Sequence, residues 1–361
     1  MSSNSDMPLG SYAIFRLPHA DHCTLVEQTG GELQQLSSLT ELDNRQGFVI
    51  APFCASGNDP ILLIRPDRIE QRPVNSEGAQ TAISANASHF LPPHSTLSSA
   101  SYSANFSLFH QALIDGRFQK LVLARCAHAT NESHLSPMAL FQLACQRYPR
   151  LFIAMVSTPL SGTWLTATPE ILLEGRDTNW HTVALAGTMR LRDNEMDGEG
   201  QHLRWSTKNI QEQRYVASYV ADTLKPFAKD IHEEGPRTIR AANLVHLRSD
   251  FTFTLYDGEH IGNLLAALHP TPAVCGLPKD EALNFIIQHE HAPRHYYSGF
   301  MGPMDINGET HLYISLRCMQ ITGDTCHLYA GGGLLCDSTE QKEWQETEAK
   351  LETMRSLLFN R

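Results

Sequence analysis

The stretch "LYISLRCMQITGDTCHLYAGGGLLC", residues 312–336, holds two apolar runs joined by Gly323-Asp324, and the second run ends in three consecutive glycines. Runs rich in Tyr, Ile, Leu and Thr on either side of a two-residue Gly-Asp signal read as an antiparallel hairpin. Similar punctuation recurs at Asp257-Gly258 and Asn307-Gly308. Further strand candidates are "GFVIAPF" (47–53), "ILLIRP" (61–66), "KLVLARCAHA" (120–129), "LFIAMVS" (151–157), "WLTATP" (164–169) and "ILLEGR" (171–176). Helical spacing begins at "SLFHQALIDGRF" (107–118), and helices are expected at 137–148, about 205–227, 279–289 and 338–358. Pro278-Lys279 and Asp337-Ser338 are the start signals of the last two. The sum is an α+β chain of large, mostly antiparallel sheets packed face to face, with helices outside.

The chain has 361 residues, 42% hydrophobic and 19% charged, enough for a substantial core. Residues 74–104, rich in Ser, Ala, Asn, His and Pro, read as an irregular surface connection. That divides the chain into an N-terminal part, 1–104, and a more strongly patterned region, 105–361, expected to form one structural domain. The N-terminus lacks a basic start followed by an apolar run, and no apolar stretch is long enough to span a bilayer, so a cytoplasmic protein is expected. The eight cysteines form no C-x-x-C pair and read as free thiols. With a net charge of −11 and no basic tract, nucleic acid and membrane are not expected partners. A small anionic substrate remains open, because local cations and a bound metal override the far field in a cleft.

Several residues can carry chemistry, each with a plainer reading beside it. In "EWQETEAK" (343–350), Glu343, Glu346 and Lys350 share one helical stripe, and in "STKNIQEQRYVASYV" (206–220) Lys208 and Glu212 stand four apart. Solvated salt-bridge faces explain both. In the second helix, Ile210, Val216 or Ala217, Val220 and Leu224 form the expected core face. If the two charged faces meet, three carboxylates surround one spot and require a cation; hard oxygen ligands favour Mg2+. Lys120, before "LVLAR", is either an edge-strand lysine reaching water or a desolvated base. Glu170, in "ATPEILLEG", is a solvated turn residue or a carboxyl held protonated as an acid. Arg317 interrupts a strand and, if buried, requires an anion. Gly331–Gly333 indicate close approach of the backbone to a ligand, or a bulge. His246, in "NLVHLRSDF", reads by itself as a core histidine.

These pieces stand in a fixed order: "KLVLAR", "TPEILL", "LAGT", "KNIQEQ", "HLRSD", "HPTPAVCGLPK", "YYSGFMG", "YISLRC", "AGGGL" and "EWQETEAKL". The series, over about residues 105–358, resembles the chorismate-utilising enzymes: isochorismate synthases, salicylate synthases and the large subunits of anthranilate and aminodeoxychorismate synthases. The resemblance implies the chorismate-binding fold, with Mg2+ held by Glu212 and Glu346 and by Glu343 directly or through water. It implies that the ion binds the ring carboxylate of chorismate. Lys350, Arg317, Tyr297 and the backbone of Gly331 and Gly333 fall where the family grips the substrate's carboxylates; Gly187, Thr188 and His246 face substrate elsewhere. Lys120 matches the lysine that activates water, and Glu170 the acid that protonates the departing 4-hydroxyl.

Ala273 stands where salicylate synthases and aminating enzymes carry Thr and isochorismate synthases carry Ala. The expected activity is therefore an isochorismate synthase feeding menaquinone or catechol siderophore synthesis. A salicylate synthase is the nearest alternative, and a catalytically silent chorismate-binding protein another. A monomer or weak homodimer is expected. The chain departs from the family at Gln213 (often His), Cys275 (usually Ser) and Thr168 (Ser more commonly), none of which removes a catalytic group.

Overall fold

A computed structural model describes residues 10–74, 99–132, 134–190, 204–241, 244–256 and 260–359. The chain opens with strands β1 (Ser11–Arg16), β2 (His22–Gln28), β3 (Gln34–Leu36), β4 (Gly47–Ala51), β5 (Ile61–Ile64) and β6 (Arg68–Pro73). Helix α1 (Ser99–Ile114), β7 (Lys120–Thr130) and α2 (Pro137–Arg147) follow. Next come β8 (Phe152–Thr158), β9 (Gly162–Thr168), β10 (Ile171–Arg176), β11 (Asn179–Arg190) and α3 (Thr207–Leu224). Then β12 (Ala228–Ala241) and β13 (Leu244–Leu255) lead to α4 (Ile261–Leu268), β14 (Gly276–Leu277) and α5 (Lys279–His289). The last part comprises β15 (Phe300–Met304), β16 (Thr310–Ile314), β17 (Cys318–Thr322), β18 (Thr325–Leu334) and α6 (Glu340–Leu358).

Among the described residues the strands form two nine-stranded sheets, ordered β14-β7-β18-β17-β9-β8-β1-β2-β6 and β12-β13-β11-β10-β16-β15-β4-β5-β3. Each pairing is antiparallel. Strands from the first 74 residues take places in both sheets. The hairpin at 318–334 turns on Gly323-Asp324, with Gly323 at φ 58°. A left-handed φ suits glycine there because it has no Cβ to clash.

The period of two along the strands builds three layers of core. Phe15, Val26, Phe48, Ile64, Phe152, Trp164 and Tyr313 meet between the sheets. On the outer face of the first sheet, Ala127, Ile153, Met155 and Leu328 pack against Leu140 and Phe141 of α2 and Leu351 and Met354 of α6. On the outer face of the second, Ala184, Phe251 and Leu312 pack against Val216, Val220 and Leu224 of α3 and Leu264 and Leu265 of α4. Helices α1 and α5 cover Leu121 and Leu123 of β7.

Ile210, expected on the core face of α3, is 48% exposed, while Val216, Ala217, Val220 and Leu224 are buried. The helix ending at Ile114 starts at Ser99, inside the stretch read as irregular. Helix α4 escapes the sequence reading because "IGNLLAAL" is an apolar run of eight residues, a length at which a buried helix and a buried strand read alike. Asp257-Gly258 and residues 75–98 lie outside the described residues.

Candidate active site

Strand β7 alternates Leu121, Leu123 and Ala127 outward with Lys120, Val122, Ala124 and Cys126 on the opposite face. Lys120 is no edge residue reaching water. Strand β14 pairs outside it, Leu277 to Lys120, and the lysine is fully buried. Its ammonium lies 3.0 Å from Glu212 Oε1 of α3, an ion pair whose angles fall short of a hydrogen bond. The triple glycine makes this approach possible. β18 pairs with β7 in unbroken register through Gly331, Gly332 and Gly333, so the glycines form no bulge. A Cβ at Gly333 would stand 2.1 Å from Glu212 Oε1 and 3.0 Å from Lys120 Cε; one at Gly331 would stand 2.8 Å from the Tyr297 hydroxyl. The missing side chains leave the room that Glu212, Lys120 and Tyr297 occupy.

These residues border a partly enclosed cavity of about 60 Å3. Its walls include Glu170, Gly187, Thr188, Glu212, His246, Ala273, Tyr297, Arg317, Gly331, Gly333 and Lys350, which gathers eleven of the fourteen residues singled out in the sequence. The other three stand immediately behind the wall. Lys120 pairs with Glu212, Glu346 Oε1 accepts from Lys350 Nζ at 2.7 Å, and Glu343 lies beneath Gly332, 3.2 Å from where a Cβ would be.

Arg317 is buried and has no carboxylate partner among the described residues. Its guanidinium donates to His246 Nε2 at 2.9 Å and to Thr353 Oγ1 at 3.3 Å. Burial lowers its pKa to about 10. Since Arg317 only donates, His246 Nε2 must accept, which leaves the ring proton on Nδ1, 3.1 Å from the Gly187 carbonyl oxygen. Burial, together with Arg317 and Lys350, pushes the imidazole well below its ordinary range and keeps it neutral. A buried guanidinium without a counter-anion is costly unless an anion arrives.

Glu170 occupies the two-residue link between β9 and β10, where its backbone N–H donates to Thr168 Oγ1 at 3.3 Å. The carboxyl is buried, and burial pushes its pKa up to about 8 against the pull of Lys120, Lys350 and Arg317. It is a protonated acid at neutral pH.

Glu212 of α3 and Glu343 and Glu346 of α6 all act on Lys208, but their oxygens do not gather within 4.8 Å of one another, and Lys208 is not paired as its spacing suggested. Its ammonium crosses to Glu343 Oε1 at 2.5 Å, while Glu212 goes to Lys120. Burial disfavours the Lys208 ammonium, but Glu343, Glu212 and Glu346 together raise its pKa, so one lysine sits within reach of all three carboxylates. Burial and the neighbouring Glu346 raise Glu343, against Lys208. Glu346 is also desolvated, yet Lys350 and Lys208 hold it below the usual carboxylate range. Glu343 Oε2 is buried with no hydrogen-bond partner. The unsatisfied Glu343 oxygen is a hard donor of the type a divalent cation takes, but the three carboxylates would have to draw together to hold one. The sequence reading missed the part Lys208 plays; its position four residues before Glu212 was the available signal.

A family model described as chorismate binding enzyme matches residues 38–359. The isochorismate synthase DhbC of Bacillus subtilis (strain 168) is 34% identical over 253 residues, which cover 67% of this chain and 63% of that protein. The isochorismate synthase MenF of Escherichia coli (strain K12) is 31% identical over 253 residues, covering 69% of this chain and 58% of that one. The chain thus spans about three fifths of the length of these curated relatives. The solved structure of MenF, the menaquinone-specific isochorismate synthase from Escherichia coli, superposes with a TM-score of 0.78 at 22% identity, over 98% of this chain and 90% of that one. At that identity the superposition speaks for the fold. Among the described residues no helix is long and apolar enough to cross a membrane.

Proposed function

The chain belongs to the chorismate-binding enzymes, and on that footing we propose that it interconverts chorismate and isochorismate by adding water at C2 and expelling the 4-hydroxyl. The observation that carries this reading is the pairing, around one cavity, of a buried Glu170 carboxyl held at about 8 with a buried Arg317 that has no paired carboxylate among the described residues. The first supplies a proton and the second calls for a carboxylate. Chorismate has two carboxylates and a hydroxyl that leaves only once protonated.

In the forward direction Lys120, in its neutral amine form, takes a proton from water, and the oxygen bonds to C2. The C1–C2 electron pair moves to C1–C6 and the C5–C6 pair to C4–C5, which breaks the bond from C4 to its hydroxyl. Glu170 protonates that hydroxyl, which leaves as water. One water enters and one departs, and the reverse reaction uses Glu170 as base. Arg317 and Lys350 hold substrate carboxylates, and Tyr297 stacks on Tyr329, ring centroids 5.6 Å apart, against the strand that carries Gly331. Gly187 and His246, locked by their mutual hydrogen bond, fix one wall.

Glu212, Glu343 and Glu346 would hold Mg2+. The fit rests on the unpartnered Glu343 Oε2 and on the space the glycines leave beside Glu212 and Glu343. When bound, the ion supplies positive charge that anchors and neutralises the ring carboxylate. Ala273, on the cavity wall, presents a methyl group and no hydroxyl. That favours release of isochorismate over loss of its pyruvyl group or attack by ammonia. Menaquinone or catechol siderophore synthesis is the metabolic setting this product would serve.

The test is incubation of the protein with chorismate and Mg2+ followed by chromatography. Isochorismate rising to a plateau against chorismate supports the reading. Stoichiometric pyruvate and salicylate would assign the chain to the salicylate synthases, and unchanged chorismate would leave a binding protein.

A further inference from the structure

Lys120 and Cys126 lie on the same face of β7, six residues and about 20 Å apart at strand rise. At this far end a second cluster appears that the proposed reaction does not use. His128 of β7 stands directly opposite His327 of β18, their ring centroids 4.5 Å apart. Cys126, two residues before His128, points to the same side. The thiol and one nitrogen from each imidazole all lie within 4.8 Å of one another, and this is the one such trio of His, Cys, Asp or Glu ligands among the described residues.

From these positions we infer a binding site for a borderline-soft divalent ion of the Zn2+ class, with Cys126, His128 and His327 as its ligands. One sulfur and two nitrogens make a donor set that zinc accepts and Mg2+ refuses. Around a tetrahedral zinc such ligand atoms stand about 3.5 Å apart, so the trio closes through side-chain rotation with the strands already in place. Neither imidazole makes a hydrogen bond to a described residue, and both rings are half-buried. That leaves their nitrogens free to ligate and the fourth position open to solvent. Ligation of the Cys126 sulfur as a thiolate releases its proton to solvent. The ion would clasp β7 to β18, the two strands that carry Lys120 and the glycines.

The test uses the full-length protein with Cys54 and Cys336, the two exposed cysteines, replaced by serine, in excess Mg2+ so that hard-oxygen sites are filled. Titration with Co2+ should give a thiolate-to-metal charge-transfer band that saturates at one ion per chain. Zn2+ should bleach the band and raise the thermal midpoint by mass action. Cys126→Ser should abolish both effects with an unchanged near-ultraviolet circular dichroism spectrum. His128→Asn and His327→Asn should each weaken binding by more than the ~10-fold that loss of an outer-shell partner costs. Binding without a thiolate band, a band that survives Cys126→Ser, or full affinity in both histidine variants would overturn the assignment. None of these readouts depends on chorismate, so failure here leaves the proposed reaction standing.

Discussion

Lys120 Nζ and Glu212 Oε1 stand 3.0 Å apart beside Gly333, an ion pair that ties the buried start of β7 to α3. The pair joins the residue assigned to proton removal to one assigned to metal binding, and its removal should separate catalysis from substrate affinity. Lys120→Ala should lower kcat by ~10²–10⁴, the usual worth of a general base. Calorimetry should still find chorismate bound, because Arg317 and Lys350 are untouched. Loss of binding with turnover preserved would reverse the assignment.

Glu170 sets the pH dependence. Its folded-state pKa lies above the ordinary 4.5, at about 8, so the protonated form dominates below pH 8 and disappears above it. Forward turnover should fall as pH rises through about 8. Glu170→Gln should abolish turnover in both directions, since the acid of one direction is the base of the other. Because burial disfavours its carboxylate, stability attributable to Glu170 is full below about pH 4.5 and lost as pH rises toward 8. Glu170→Gln should flatten the denaturation midpoint over that window.

The glycines of β18 make a graded prediction. An added Cβ meets Glu212 Oε1 at 2.1 Å at Gly333, the Tyr297 hydroxyl at 2.8 Å at Gly331, and Glu343 Oε2 at 3.2 Å at Gly332. Gly333→Ala should be the most damaging to turnover and to Mg2+ affinity, and Gly332→Ala the mildest. Steady-state kinetics across the three variants checks the order; equal losses would place the effect in the strand and not in the side chains it accommodates.

Hairpin 318–334 was readable because a two-residue Gly-Asp turn and alternating apolar residues are local signals. The triple glycine was readable as a site of close approach, but what approaches comes from α3, α6 and the segment holding Tyr297, which no local pattern connects. Lys208 shows the limit best. The i, i+4 rule pairs it with Glu212 along its own helix, whereas burial of Glu343 from α6 draws it across the interface. Lys120 likewise looked like an edge residue until β14, over 150 residues later, closed that edge.

Among the described residues Arg317 has no carboxylate partner, so on the proposed reading its charge serves binding more than folding. Arg317→Met should raise KM at least ~100-fold, consistent with loss of a charge-assisted, desolvated contact, while unfolding shifts by no more than about 1 kcal/mol. Denaturant titration beside kinetics separates the two. Exhaustive removal of divalent ions should abolish turnover, and Mg2+ should restore it in the parent but only in part in Glu346→Gln.

The most direct measurement is turnover of chorismate in heavy-oxygen water, with mass spectrometry of the isochorismate formed early in the reaction. Water addition at C2 predicts one heavy oxygen in each product molecule, at the new hydroxyl. Isochorismate that carries only the light oxygen of the original 4-hydroxyl would contradict the account, since the hydroxyl would then have moved within the substrate and neither Lys120 nor Glu170 would have the role assigned to it.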